Sequence, residues 1–145
     1  KDLGKLEESV ASYRKALDLN PGLAETHYNL GNTLLELGKL EDAVISYHKA
    51  IGLKPDYPEA HNNLGTALQE LGQFDDAITN YRKALSLKPD FGGARYNLGG
   101  ALLDMGQHKE GLKYIQEGKG LIEFSSNKQS CYFTILGGTL RGANR

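Results

Sequence analysis

His27-Tyr28-Asn29-Leu30-Gly31-Asn32-Thr33-Leu34-Leu35-Glu36-Leu37-Gly38 returns one period later as His61-Asn62-Asn63-Leu64-Gly65-Thr66-Ala67-Leu68-Gln69-Glu70-Leu71-Gly72. The period is 34 residues, and the chain keeps it as far as Gly120. Leu3-Gly4 and Met105-Gly106 fall at the phase of Leu37-Gly38; Pro21, Pro55 and Pro89 share a second phase, and Tyr13, Tyr47 and Tyr81 a third. A fixed period of this length means stacked copies of one supersecondary unit, each too small to bury its own apolar face. Such stacks make extended surfaces rather than enclosed chambers, so the expected function is to hold another protein.

One period, Ala24 to Tyr57, shows the unit. Leu30, Leu34 and Leu37 recur at intervals of three or four, as one face of an α-helix requires. Gly38 supplies a left-handed residue to end that helix. A second helix follows, with Glu41 and Asp42 in its first turn, where the helix dipole favours anions. Its buried side is read as Leu40, Ala43, Val44, Tyr47, Ala50 and Ile51. Lys54-Pro55-Asp56 stops it, because proline cannot continue the ladder and turns the preceding residue away from helical geometry. The next period, Pro58 to Phe91, copies this with Leu64, Leu68, Leu71, Phe74, Ala77, Ile78, Tyr81, Ala84 and Leu85. Alanines at 43, 50, 77 and 84 are expected where helices approach closely, with the tyrosines in the wider gaps.

These residues carry a family resemblance. His27-x2-Leu30-Gly31-x2-Leu34, then Ala43-x3-Tyr47 and Pro55, resembles the tetratricopeptide repeat (TPR) pattern, with His27 in place of the usual tryptophan. His61, Leu64, Gly65, Leu68, Ala77, Tyr81 and Pro89 resemble it again. The resemblance implies an all-α, right-handed superhelical solenoid of antiparallel helix pairs. The first helix of each pair would line a concave groove and the second would form the convex back. The expected organisation is an array over 1–120 and a C-terminal cap and tail over 121–145. The array divides into a half repeat at 1–23, full repeats at 24–57 and 58–91, and a degenerate repeat at 92–120.

The ends break the pattern. Lys1 to Leu19 supplies only a second helix, with Leu6, Val10, Tyr13 and Leu17 along one side; its partner helix is missing. A fragment of a longer array and a site of self-association are both open, and the first is preferred. In the last copy Gly92, Gly93, Gly99 and Gly100 load the first helix, while Gly111 and Gly118 replace alanines of the second. Each mid-helix glycine costs about 1 kcal/mol against alanine, so this pair is expected to fray first. Beyond Gly120 the period stops. Leu121 to Phe124 and Cys131 to Leu136 read as two short strands around a polar turn, or as a packed cap, and Gly137 to Arg145 as a flexible tail.

By the resemblance, Asn29, Asn63 and Asn97 face the groove. An asparagine side chain both donates and accepts, so a row of them suits an extended peptide backbone. The row resembles the asparagine ladder in the repeats of O-linked N-acetylglucosamine transferase; a set of merely solvated groove residues is the equal alternative. Around it lie Tyr28, Asn32, Leu35 and Glu36, then Asn62, Thr66, Gln69 and Glu70, then Tyr96, Leu103 and Asp104. Glu25 and Glu59 are placed near the groove edge. Tyr28, Leu35, Tyr96 and Leu103 would grip side chains. Chaperone-binding members of the family hold a terminal carboxylate with groove cations. Here the matching positions, Glu25, Asn29, Asn63, Gly93 and Asn97, hold none, so the partner is expected to carry some lysine or arginine.

Bulk properties narrow the field. The 145 residues carry a net charge of -1, which exerts no general pull toward nucleic acid or anionic lipid. No apolar run approaches the roughly 20 residues that cross a bilayer, and the polar start at Lys1 to Val10 is no secretory signal. A cytoplasmic, non-catalytic scaffold is expected, without nucleic-acid or membrane partners. Cys131 is the single cysteine, so no internal disulfide forms. His27, His48, His61 and His108 show no metal-ligand spacing, and no glycine-rich phosphate loop follows a strand, so no metal or cofactor is expected. Arg14-Lys15, His48-Lys49 and Arg82-Lys83 make a basic series on the convex side, read as cations near helix C-termini. The alternative to a free-standing scaffold is the substrate-recruiting arm of a larger enzyme such as a glycosyltransferase, or a scaffold that assembles with itself.

Overall fold

The computed structural model describes residues 2–123, 132–135 and 138–141, with side-chain surroundings for residues 2–118. Seven helices follow in order: α1 (Leu3–Leu19), α2 (Ala24–Glu36), α3 (Leu40–Leu53), α4 (Pro58–Glu70), α5 (Phe74–Leu87), α6 (Gly92–Asp104) and α7 (His108–Glu123). The fold is an all-α solenoid in which α2/α3, α4/α5 and α6/α7 are the helix pairs, and each second helix packs on the next first helix.

The turn inside each pair is written in the Leu-Gly dipeptide. Gly38, Gly72 and Gly106 have φ of 71°, 77° and 76°, a region that glycine enters without steric cost. The N–H groups of Gly38 and Lys39 donate to the carbonyls of Leu35 and Leu34 at 3.0 and 2.9 Å, closing a Schellman motif that satisfies the last carbonyls of α2. Gln73 to Leu68 and Gln107 to Leu102 repeat the longer bond, each at 2.8 Å. Gly4 holds the same sequence phase but is helical, because α1 starts at Leu3 with Asp2 capping the N–H of Gly4 at 3.2 Å.

Tyrosine and glycine dictate the spacing within pairs. Tyr47 and Tyr81 are fully buried, and a Cβ on Gly31 or Gly65 would stand 2.7 Å from the respective ring. Each ring therefore lies directly on the backbone of its partner helix. Ala43, Ala50, Ala77 and Ala84 are fully buried beside them, with Leu34, Leu64, Leu98 and Leu102 completing the core.

The third pair solves the same problem with smaller parts. Ile115 stands where the tyrosines stand, and α6 and α7 come together backbone to backbone. A Cβ on Gly99 would meet Ile115 at 2.6 Å and the Gly111 carbonyl at 2.7 Å; one on Gly118 would meet the Tyr96 nitrogen at 3.0 Å and the Gly92 carbonyl at 3.1 Å. Gly99, Gly111 and Gly118 are thus packing positions, which helix propensity alone does not reveal. Gly93 and Gly100 face no such limit, with nearest contacts at 3.4 and 3.9 Å.

The C-terminal expectations need correction. Leu121 to Glu123, read as strand, are the last turn of α7. A strand does cover Tyr132–Ile135 (β1), but its antiparallel partner is Gly138–Arg141 (β2), in register from Tyr132–Arg141 to Ile135–Gly138. Four residues assigned to a flexible tail are therefore paired. The expectations for Phe124 to Cys131, for Leu136 and Gly137, and for residues 142–145 lie outside the described residues.

Candidate peptide-binding face

The first helices α2, α4 and α6 touch one another directly, whereas the second helices are not in comparable contact. The first helices thus form the inner wall of the curve, and hydrogen bonds running between them identify the side chains on it. Asn63 Nδ2 donates to Tyr28 Oη at 3.1 Å and to Asn32 Oδ1 at 2.9 Å. Asn97 Nδ2 donates to Asn62 Oδ1 at 3.0 Å, and Asn62 Nδ2 to Asn63 Oδ1 at 3.1 Å. Tyr47 Oη reaches through from α3 to donate to Asn32 Oδ1 at 2.8 Å. One chain of amides and phenols therefore ties three helix pairs together. Gln69 adds a second tie, donating to Asp104 at 2.8 Å while accepting from Tyr81 Oη at 2.9 Å.

This network changes what the asparagines have to offer. Both N–H bonds of Asn63 are committed to α2, and its oxygen accepts from Asn62. Asn97 is half-buried and keeps its oxygen and one N–H unspent among the described residues. Asn29 is exposed, and among the described residues no first-type helix stands before α2 to offer it the partner that Tyr28 offers Asn63. Of the expected apolar grips, Leu103 lies against Gly111 of α7 and Leu35 packs on the core, so both are half turned into their helix pairs. Tyr28 is half-buried between Tyr57 and Tyr47, with ring centroids 4.9 and 6.1 Å away. Tyr96 is the open aromatic, 39% exposed.

Along the C-terminal ends of the first helices stand Glu36, Glu70 and Asp104, one repeat apart and all exposed. Thr66 bridges inward, its hydroxyl donating to the Asn62 carbonyl at 3.2 Å and lying 3.4 Å from Tyr81 Oη. Burial raises the Tyr81 phenol to about 12, and the charges of Glu70 and Asp104 add to that rise. Burial likewise raises the Tyr47 phenol, with Tyr28 and Glu36 contributing. At the opposite edge burial lifts Tyr57 to about 12, with Tyr28, Glu25 and Glu59 contributing. That edge also carries cations: Lys54 lies 4.5 Å above the Tyr57 ring and Lys88 pairs with Glu59 at 3.5 Å. The two rims therefore differ, one mixed in charge and one acidic.

A second set of ties was legible in the sequence yet unread. His27 and His61 donate from Nε2 to the carbonyls of Pro21 and Pro55 at 2.9 and 3.2 Å, and Arg95 donates to the Pro89 carbonyl at 2.7 Å. All three occupy one phase of the repeat and all carry an N–H. The slot that the pattern gives to a large aromatic here pins the inter-repeat turn by a hydrogen bond. On the convex side Arg14 reaches Asp42 at 3.9 Å and Arg82 reaches Glu110 at 3.6 Å, so the basic series is partly spent on exposed ion pairs, which contribute little to stability. Among the described residues no group of three or more His, Cys, Asp or Glu side chains is placed to hold a metal, and no helix is long and apolar enough to cross a membrane.

A curved stack of helix pairs with a polar inner wall defines a repeat scaffold for protein interaction. Models of the TPR repeat match residues 1–38 and 31–72, and a model of the tetratricopeptide repeat matches 58–91; the chain belongs to the tetratricopeptide repeat family. Comparison with curated proteins gives no match. Among solved structures it is similar to "Crystal structure of MamA" at 29% identity and a TM-score of 0.76, covering 82% of this chain and 70% of that one. "MamA MSR-1 C2" is similar at 27% identity and a TM-score of 0.74, covering 85% and 71%.

Proposed function

We propose that the concave face holds an extended peptide or protein segment that carries lysine or arginine, and that the chain acts by holding rather than by chemistry. The observation that carries this reading is the exposed acidic row Glu36, Glu70 and Asp104, which runs beside the amide wall at one-repeat spacing. Helix C-termini add partial negative charge at the same rim. Asn29 and Asn97 retain capacity to pair with a peptide backbone, as in the asparagine-ladder reading, while Asn63, Asn62 and Asn32 hold the wall. Packed helix axes lie about 8–10 Å apart, and a polyproline II peptide repeats its side-chain direction every three residues, or about 9.3 Å. A cation at every third position would therefore meet successive carboxylates. Because the helices pre-form the face, little ordering of the receptor opposes binding.

Calorimetric titration with synthetic peptides tests this. A Lys-x2-Lys-x2-Lys peptide should bind with about micromolar affinity, more tightly than the same residues with the lysines adjacent, and more weakly as salt rises. Charge reversal by Glu70→Lys with Asp104→Lys should abolish binding. Equal affinity for the spaced, adjacent and acidic peptides, or none for any, contradicts the proposal.

A further inference from the structure

Ser46, Asn80 and Tyr114 share one phase of the repeat, on α3, α5 and α7. In the middle repeat the Asn80 amide lies 3.2 Å from His61 Nδ1 and donates to the Asp76 carbonyl at 2.9 Å. With Nε2 bonded to the Pro55 carbonyl, both nitrogens of that histidine ring are occupied. Tyr114 is half-buried and packs against the core. Ser46 is the smallest of the three, and its hydroxyl donates to the Asp42 carbonyl at 3.0 Å. His27 therefore keeps its Nε2 bond to Pro21, while its Nδ1 has no partner among the described residues. Yet the side chain is only 7% exposed.

Around that histidine the convex face opens into a hollow of about 420 Å³, between α1 and α3 with α2 beneath. Leu17, Leu30, Leu34 and Ile45 give it apolar walls, and His27 and Ser46 give it polar ones. Arg14 and Lys49 line it together with Asp18 and Asp42, all exposed, so the charges balance; Arg14 already meets Asp42 at 3.9 Å. Nothing there selects an ion, and a volume of this order holds a small organic group. Because Nε2 carries the proton shared with Pro21, the neutral ring presents Nδ1 as an acceptor. The hollow thus fits an uncharged, largely apolar group that ends in a donor. We propose that it binds the tyrosine side chain of a partner polypeptide, the ring against the leucines and Ile45 and the hydroxyl donating to His27 Nδ1. A phenol joins an apolar ring to an O–H, and its hydroxyl pairs when buried. Tyr114 is the internal precedent, since at this phase of α7 the chain packs a tyrosine of its own. The convex hollow and the acidic concave rim therefore take different chemistries, and neither reading depends on the other.

The test titrates the isotope-labelled full chain with the blocked tripeptide acetyl-Gly-Tyr-Gly-amide and follows it by NMR. Shifts should centre on His27, Ile45 and Ser46. The tripeptide with phenylalanine in place of tyrosine should bind about threefold to tenfold more weakly, because it lacks the hydroxyl. Ser46→Asn copies the middle repeat, so its amide should occupy His27 Nδ1 and abolish the shifts while circular dichroism shows the fold intact. Should that variant not fold, Ile45→Lys gives an independent reading: the side chain is 53% exposed, and its loss should weaken binding without touching the histidine. Shifts centred on Asn29 and Tyr96, equal binding of the two tripeptides, shifts that persist in folded Ser46→Asn, or none up to the solubility limit of the probe each overturn the proposal. Tighter binding of free tyrosine than of the tripeptide also overturns it, since that would place a small molecule in the hollow rather than a polypeptide side chain.

Discussion

At the scale of single residues, the same amino acid plays opposite parts at neighbouring positions. Gly99→Ala removes a helix-propensity cost of about 1 kcal/mol but drives a methyl against Ile115 and the Gly111 carbonyl. Overpacking dominates, so the variant should lose about 1–3 kcal/mol in urea unfolding. Gly100→Ala meets only Gln69, at 3.9 Å, and should gain up to about 1 kcal/mol. Two losses or two gains would refute the packing assignment. The buried tyrosines give a pH signature. Their phenols are raised above the usual value of 10.0 in the folded state, so the folded chain keeps protons that the unfolded chain sheds. Stability contributed by Tyr47 and Tyr81 is complete below pH 10 and declines as pH rises toward 12, by about 1.4 kcal/mol per pH unit for each. Denaturant midpoints at pH 9, 10 and 11 should fall progressively, and less steeply in Tyr81→Phe; a flat profile contradicts the burial. The tyrosine and alanine slots were readable from spacing alone. The fate of each asparagine was not, because hydrogen-bond partners lie 31–35 residues away across repeats.

At the scale of elements, the periodic pattern marked every helix and the three Schellman turns, since apolar spacing, Leu-Gly and Lys-Pro punctuation all agree locally. It failed where periodicity ended. The apolar run at Leu121 carried too few residues to separate a helix end from a strand, and α7 simply continued through it. Uneven cover makes α1 the weak element: its counterpart α3 lies between α2 and α4, while α1 packs on α2 alone among the described helices. Amide exchange should therefore be faster across residues 6–17 than across residues 43–51, since local opening of α1 exposes less apolar surface. Equal protection of the two helices would contradict this difference in packing.

At the scale of the whole molecule, curvature and chemistry are coupled. The ties Asn63–Tyr28, Asn63–Asn32, Asn97–Asn62 and Gln69–Asp104 all cross between first helices, so they hold the inner wall at one pitch and present the acidic row at a fixed spacing. The fold class could be read from one period; the division of the wall into structural amides and available ones required the stack itself. The central claim is that a partner is gripped on the concave side. Its most direct test places a photo-crosslinking residue singly at Asn29, Tyr96, Ile45 or Lys83, all exposed, and identifies which positions capture the lysine-spaced peptide. The account predicts capture from Asn29 and Tyr96 and none from Ile45 or Lys83. Capture from the convex pair, with Asn29 and Tyr96 silent, would contradict it.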